Sequence, residues 1–273
     1  MVPLRRPRRL SAQVIRIAAG EKTREIKELV VKKAETKIVL GAGSSVTLFL
    51  TVPKRTRGKR SIDVTLGKAA ELFLLLIQEQ SAGLQIEERI SVGAEASFHA
   101  FNVSLGGAEQ TLVSHVKGVD GRSTIDWIAR TSGREEASIA ATNIFSSALG
   151  KGDITIRGTA EDHSRLRVTG RIDVEKRGGG TEARLDQNIL LLDATAKADA
   201  VPILRIETDD VKAGHAASVT KVSPEDLFYL GTRGIKKAEA RRMLIRGFLH
   251  ALLIHVEDPG LRERVAAGLD RRD

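Results

Sequence analysis

Cysteine is absent from this 273-residue chain, which excludes disulfides and every reaction that needs a thiolate. Aromatics are scarce at 3%, with one Trp and one Tyr, so the core must be filled by Val, Ile, Leu and Ala. That composition suits many short strands or stacked layers better than an aromatic-anchored sandwich. Long hydrophobic runs are missing too. The greasiest stretch, Leu72 to Ile77, falls far short of the ~20 apolar residues of a membrane span. The opening decapeptide carries Arg5, Arg6, Arg8 and Arg9 but no apolar run follows to make a secretory signal. A soluble, cytoplasmic chain with no membrane partner is expected.

What is abundant is positive charge, a net +9 gathered in blocks. These are the N-terminal arginines, the loop with Lys54, Arg55, Arg57, Lys59 and Arg60, and Arg262, Arg264, Arg271 and Arg272 near the end. Such blocks can bind phosphate backbones. No aromatics stand beside them for base stacking, so solvated termini and a solvated loop are the favoured reading and nucleic acid the weaker one.

Residues 1–37 read as a basic tail and a lead-in segment in which Ile26, Leu29, Val30 and Val31 fit a short helix or a strand equally. From there to about 222 the text is short alternating runs, such as Ser45 to Leu50, Ser61 to Leu66, Ala96 to Val103, Ser123 to Ile128, Asp153 to Arg157, Arg165 to Val168 and Ile203 to Ile206. Period-two alternation predicts strands with one face inward. Turn formers separate them: Gly106-Gly107, Asp120-Gly121, Ser132-Gly133 and Gly178-Gly179-Gly180. Only Lys68 to Gln80 offers a competing helical spacing. An antiparallel sandwich or barrel and a parallel β-helix both absorb so many strands; small residues introducing successive strands, as in Gly93-Ala94-Glu95-Ala96 and Gly180-Thr181-Glu182-Ala183, tilt slightly toward stacked rungs.

After 222 the period becomes helical. Ser223 reads as an N-cap, with Pro224 at the first helical position and Glu225 and Asp226 at the positive end of the dipole. A second helix is predicted from Lys237 to His255, with Ala240, Met243, Leu244, Phe248, Leu252 and Leu253 on one side and Pro259-Gly260 as its stop; a third runs from Leu261 to Leu269.

Nucleotide motifs fail. Around Gly150-Lys151 the first glycine of a phosphate loop is Phe145 and the Ser or Thr after the lysine is Gly152; Gly41-Ala42-Gly43 meets Val46 where a third glycine belongs. Zinc motifs fail as well, since His250 and His255 are five apart and leave a common helix face. His99, His115 and His163 read as packing residues, and Trp127 as core with Asp126 on the opposite strand face.

The most distinctive text is Asp209-Asp210-Val211-Lys212-Ala213-Gly214-His215-Ala216-Ala217-Ser218, followed by Leu227-Phe228-Tyr229-Leu230-Gly231-Thr232-Arg233-Gly234-Ile235, with Arg241, Leu244, Gly247 and Phe248 beyond. It resembles the signature of the SufB/SufD family, scaffold subunits of the SUF iron-sulfur cluster assembly machine, strongly from Ala141 to Leu252 and traceably from Lys37. The resemblance implies a right-handed parallel β-helix core at 38–222, a small C-terminal α-helical domain at 223–273, and a mainly β chain. It implies a non-catalytic scaffold that docks a SufC-like ABC ATPase through Leu227, Phe228, Tyr229, Arg233, Gly234, Ile235, Arg241, Leu244 and Phe248. It also implies pairing with a SufB-like subunit or a second copy of itself through Val211, Lys212, Ala213, Gly214, Ala217 and Val219.

His215 falls on that signature, with Glu207, Asp209 and Asp210 as candidates to orient it; imidazole can bind iron, and carboxylates can complete or support such a site. Ala213, Gly214 and Ala216 depart from the family's usual Cys, Ser and Gly, and no Glu follows the histidine, so the chain looks like SufD or an undifferentiated paralogue. Clusters are normally held by thiolates. No tightly bound cofactor is expected, only a transient iron-sulfur cluster shared with a partner. The chain is shorter than typical family members, whose N-terminal helical region is reduced or missing. A carbohydrate-active β-helix enzyme is the alternative on fold grounds, but Asp209, Asp210 and Lys212 lack aromatic sugar platforms.

Overall fold

The structure, a computed structural model, describes residues 12–79 and 82–270. The arginines at 5–9 and at 271–272 lie outside them. Sixteen strands, numbered along the chain, alternate between two eight-stranded sheets. Sheet A is ordered β1 (Gln13–Ile17), β3 (Glu35–Leu40), β5 (Gly58–Leu66), β7 (Leu84–Val92), β9 (Glu109–Val116), β11 (Glu136–Phe145), β13 (Arg165–Val174), β15 (Lys197–Ile206). Sheet B takes β2 (Lys22–Val30), β4 (Ser45–Val52), β6 (Glu71–Glu79), β8 (Ser97–Leu105), β10 (Arg122–Thr131), β12 (Lys151–Ala160), β14 (Thr181–Leu191) and β16 (Val211–Lys221) in the same progression. Each strand pairs in parallel with the one two further on, as in Glu71↔Ser97, Ser97↔Arg122 and Arg122↔Lys151. This is a parallel β-solenoid of about eight turns. Pairing begins at Gln13, and Ile26, Leu29 and Val30 lie in β2.

The inward row of each strand fills the lumen with aliphatic layers around Trp127, Phe98 and Phe145, and Trp127 Nε1 donates to Ser104 Oγ at 2.8 Å. Parallel stacking sets each inward residue over its partner in the next rung, so Leu74, Ala100, Ile125, Ile154 and Leu185 form one aliphatic column.

The corner from sheet A to sheet B repeats with little sequence repetition. Gly20, Gly43, Ala69, Glu95, Asp120, Leu149 and Gly180 all hold positive φ, between 52° and 73°. Each amide donates to a carbonyl of the next turn, as Ala69 N to Ala94 O at 2.8 Å and Leu149 N to Gly179 O at 2.8 Å. Just before this ladder the backbones of adjacent turns nearly touch: a Cβ on Gly118 would sit 1.9 Å from Ala94 N. Glycine there is a steric necessity.

Three helices follow: α1 (Pro224–Thr232), α2 (Lys237–His250) and α3 (Pro259–Asp270), with a 3₁₀ turn Ala251–His255 after α2. Ser223 Oγ accepts from Glu225 N and Asp226 N, as its cap role requires. Two expectations are corrected. Pro259-Gly260 does not stop α2 but opens α3, with Asp258 Oδ1 accepting from Leu261 N at 2.8 Å; α2 instead tightens into the 3₁₀ turn at Ala251. Met243 is 48% exposed, and the buried face runs through Ala240, Ile245 and Leu249.

Lys68 to Glu79 is no helix, and β6 occupies most of it; Gln80 lies outside the described residues. The outward face of sheet B is itself buried, since Phe49, Leu75, Ile77, Phe101, Val103, Leu105 and Ile128 pack against Ile245, Leu249, Leu252, Leu253, Val256, Leu261, Val265 and Leu269. With both faces of β6 covered, alternation disappears from its sequence. Among the described residues sheet A carries no helix on its outer side. Among the described residues no helix is long and apolar enough to cross a membrane.

Candidate functional site

The solenoid's last rung has no successor. On β14 the inward residues are Thr181, Ala183, Leu185, Gln187, Ile189 and Leu191. Their partners on β16 are Val211, Ala213, His215, Ala217, Val219 and Lys221, which therefore form the next lumen-facing row. By the same register β15 adds Ala198, Ala200, Pro202, Leu204 and Ile206, stacked on Leu166, Val168, Gly170, Ile172 and Val174. These residues have the character of a core layer, yet Val219 and Ile206 are each 42% exposed. His215 sits in the middle of this row, over Leu185 and open to solvent. Lys212 and Gly214 alternate outward, and Lys212 Nζ pairs with Glu182 at 2.9 Å one rung back. Four of the interface residues expected from sequence, Val211, Ala213, Ala217 and Val219, thus share one surface with His215, and Lys212 and Gly214 alternate with them.

The carboxylates expected beside His215 are elsewhere. Glu207 is engaged by Arg205 at the end of β15, and Asp209 and Asp210 occupy the turn before β16. At ~3.3 Å per residue, Asp210 is roughly 16 Å along the chain from His215. Among the described residues no three His, Asp or Glu side chains are grouped to hold a metal ion.

The expected ATPase-docking residues separate into two groups. On α1, Phe228 is 74% and Tyr229 58% exposed, with none of the helix's residues buried. Arg233 lies over the Tyr229 ring at 5.4 Å, Gly234 takes φ +82° to turn the chain out of the helix, and Leu227 and Ile235 are half-buried. On α2, Arg241 grips Asp193 through both nitrogens, with Nη1 to Oδ1 at 2.9 Å, and this guanidinium holds the Asp193 carboxyl below its ordinary range. Leu244 is half-buried, while the Phe248 carbonyl accepts from Arg157 Nη1 at 3.0 Å and its ring stacks under the same guanidinium. These α2 residues fasten the helices to sheet B.

Further fastenings escaped the sequence reading. Asp126, projecting outward from β10 with its side chain 1% exposed, accepts from His99 Nε2 at 2.8 Å and bonds His255 Nδ1 at 2.9 Å. Burial pushes the neighbouring Asp153 carboxyl up. Arg130 Nη1 donates to Leu269 O at 3.0 Å, and Arg264 pairs with Glu28 while stacking on Phe49. Inside the lumen, Asn102 Nδ2 donates to Glu88 Oε1 at 2.6 Å and Gln110 Nε2 to Gln78 Oε1 at 3.0 Å. Among the described residues Glu88 Oε2 has no partner, and burial pushes this carboxyl up to about 8. The basic loop is tied down in part: Lys54 pairs with Glu79 at 2.8 Å and Lys59 with Glu87 at 2.5 Å.

Comparison with known proteins gives a consistent picture. The chain is 33% identical over 140 residues to the iron-sulfur cluster assembly protein SufD of Bacillus subtilis, a stretch covering 51% of this chain and 32% of that protein. It is 35% identical over 111 residues to SufD of Escherichia coli, covering 41% and 26%. An iron-sulfur cluster assembly SufBD family protein of Mycobacterium tuberculosis is 39% identical over 103 residues, covering 37% and 26%. The matched stretches thus span about a third or a quarter of these relatives. The family model described as SUF system FeS cluster assembly, SufBD core domain, matches residues 23–248, most of the solenoid together with α1 and nearly all of α2, and the chain belongs to the SufB/SufD family.

Proposed function

We propose that this chain is a non-catalytic scaffold subunit of a SUF-type iron-sulfur cluster assembly complex, paired end to end through its last solenoid rung and docking an ABC-type ATPase through α1. The observation that carries the reading is the uncovered lumen row of β15 and β16. An apolar layer ending in two unpaired strand edges is a liability for a free monomer, and a second solenoid end abutting it removes both the exposed surface and the open edges. The exposed Phe228 and Tyr229 on α1 supply a separate apolar contact of the kind that anchors interfaces.

The cargo cluster needs more than this chain offers. Without cysteine, and with His215 as the sole imidazole in the terminal row, the chain can contribute one nitrogen ligand at the seam between two subunits. Thiolates would come from a cysteine-bearing partner or from small thiols. His215 then acts as a one-ligand contributor, and ATPase movement relayed through α1 would alter the seam where it lies.

Co-expression with the cognate ATPase, with and without a SufB-like paralogue, followed by mass determination, tests the reading. A complex containing the ATPase and two scaffold chains is expected. A monomer that binds no ATPase at micromolar concentration in either combination would sink it.

A further inference from the structure

The outer side of the sheet A to sheet B corner carries a second feature, independent of the scaffold reading. A cleft of about 590 Å³ lies where β9, β11, β13 and β15 run into their turns. Lys117, Lys176 and Arg177 border it, and among the described residues their cationic heads have no hydrogen-bond or ion-pair partner. Of the two carboxylates present, Glu207 is already taken by Arg205, which leaves Glu175 against three cations. Between them stand Ser146 and Ser147, whose hydroxyls donate to Val116 O at 3.3 Å and Lys117 O at 2.6 Å. His115 Nε2 meets Ser146 Oγ at 2.9 Å, and burial, with Lys117 adding to it, pushes the imidazole down and so keeps it uncharged at neutral pH.

We infer that this cleft is a binding site for a small polyphosphorylated ligand, held by Lys117, Lys176 and Arg177. Three unpaired cations converging on one concave surface repel one another, and a multiply charged anion relieves that repulsion. The cations come from the β9 and β13 turns, two rungs and therefore ~10 Å apart, with the serine turn between them. That separation fits a row of phosphoryl groups better than a single one. The backbone beneath is fixed by the corner ladder, where Asp120, Leu149 and Gly180 each donate to the next turn, so the turns that carry the cations are held in place. Among the described residues no Phe, Tyr or Trp borders the cleft. A nucleotide base would find no large ring to stack on, and recognition rests chiefly on the phosphates.

Calorimetric titration of the full chain with pyrophosphate and with ADP tests this. Saturable binding is expected, with the two ligands within about threefold of each other because the base adds little. Combined Lys117→Gln, Lys176→Gln and Arg177→Gln should weaken pyrophosphate at least tenfold. Combined Lys32→Gln, Arg55→Gln and Arg57→Gln, which removes the same charge from another surface, should leave it within twofold. The His115 imidazole should titrate at higher pH when pyrophosphate is bound, a shift read by NMR that diffuse attraction elsewhere on the chain would not produce. Absence of saturable binding, equal loss in the two triple variants, or an oligonucleotide that outcompetes pyrophosphate at these residues would each overturn the assignment.

Discussion

Glu88 stands in the middle of the lumen, 1% exposed, with one oxygen bonded to Asn102 and the other unpartnered. Burial raises its carboxyl from 4.5 to about 8, and the Asn102 bond only partly opposes that. The folded chain therefore holds a proton that the unfolded chain releases above pH 4.5. The folded form binds the extra proton, so stability is greatest below pH 4.5, falls as pH rises, and levels off above about 8. At about 1.4 kcal/mol per pH unit the full loss is about 5 kcal/mol, of which about 3 to 4 kcal/mol falls between pH 5 and pH 8. Glu88→Gln keeps the volume and a group able to bond Asn102 but cannot ionise. Urea unfolding of both proteins from pH 5 to pH 8.5 isolates this residue, because other titrating groups cancel in the difference. The variant's advantage should grow by about 3 to 4 kcal/mol between pH 5 and pH 8. A difference that stays flat across that range would show that Glu88 is ionised in the folded chain, and the reasoning would fail.

Gly118→Ala forces a Cβ onto the Ala94 backbone and should cost about 3 kcal/mol, at the upper end for overpacking, measured by chemical unfolding; a neutral result would mean that the turns are not in contact. Arg241→Ala removes the grip on Asp193, whose lowered carboxyl contributes stability above its unfolded value of 3.8 that is lost as pH falls through the folded one. The variant should lose about 1–2 kcal/mol at neutral pH and much less under acid conditions, as seen in paired melts at pH 7 and pH 3. Phe228→Ser with Tyr229→Ser should abolish ATPase capture in a pull-down while leaving the unfolding midpoint unchanged, since both rings are exposed in the chain alone. Val219→Asp should break subunit pairing in sedimentation without loss of circular dichroism.

The solenoid was legible where one strand face meets solvent. Sheet A strands such as β11, with Ala137, Ile139, Ala141, Asn143 and Phe145 inward, keep clean alternation. It was illegible on β6, where Leu75 and Ile77 are buried under the helices, with Phe73 partly covered, while Leu72, Leu74 and Leu76 line the lumen. The corner ladder escaped because its seven positions share a backbone conformation rather than a side chain. In the site, the row around His215 was readable because its residues lie together in one strand. The Asp126 contacts were not, since His255 comes from 129 residues away. Glu88 reads as an ordinary charged position in the run Glu87-Glu88-Arg89, and only the register places it inward.

Stacked rungs by themselves behave as a one-dimensional chain, in which each unit feels only its neighbours and the ends fray. The helical segment changes that behaviour. Beginning at Asp193 beyond β14, it is fastened in turn to Arg157 on β12, to Arg130 and Asp126 on β10, to Phe49 on β4 and to Glu28 on β2. It lies across the grain of sheet B like a batten across planks. The helical segment therefore ties the rungs of sheet B together along the length of the stack, while sheet A, which carries no such batten among the described residues, is held by its own strand pairing.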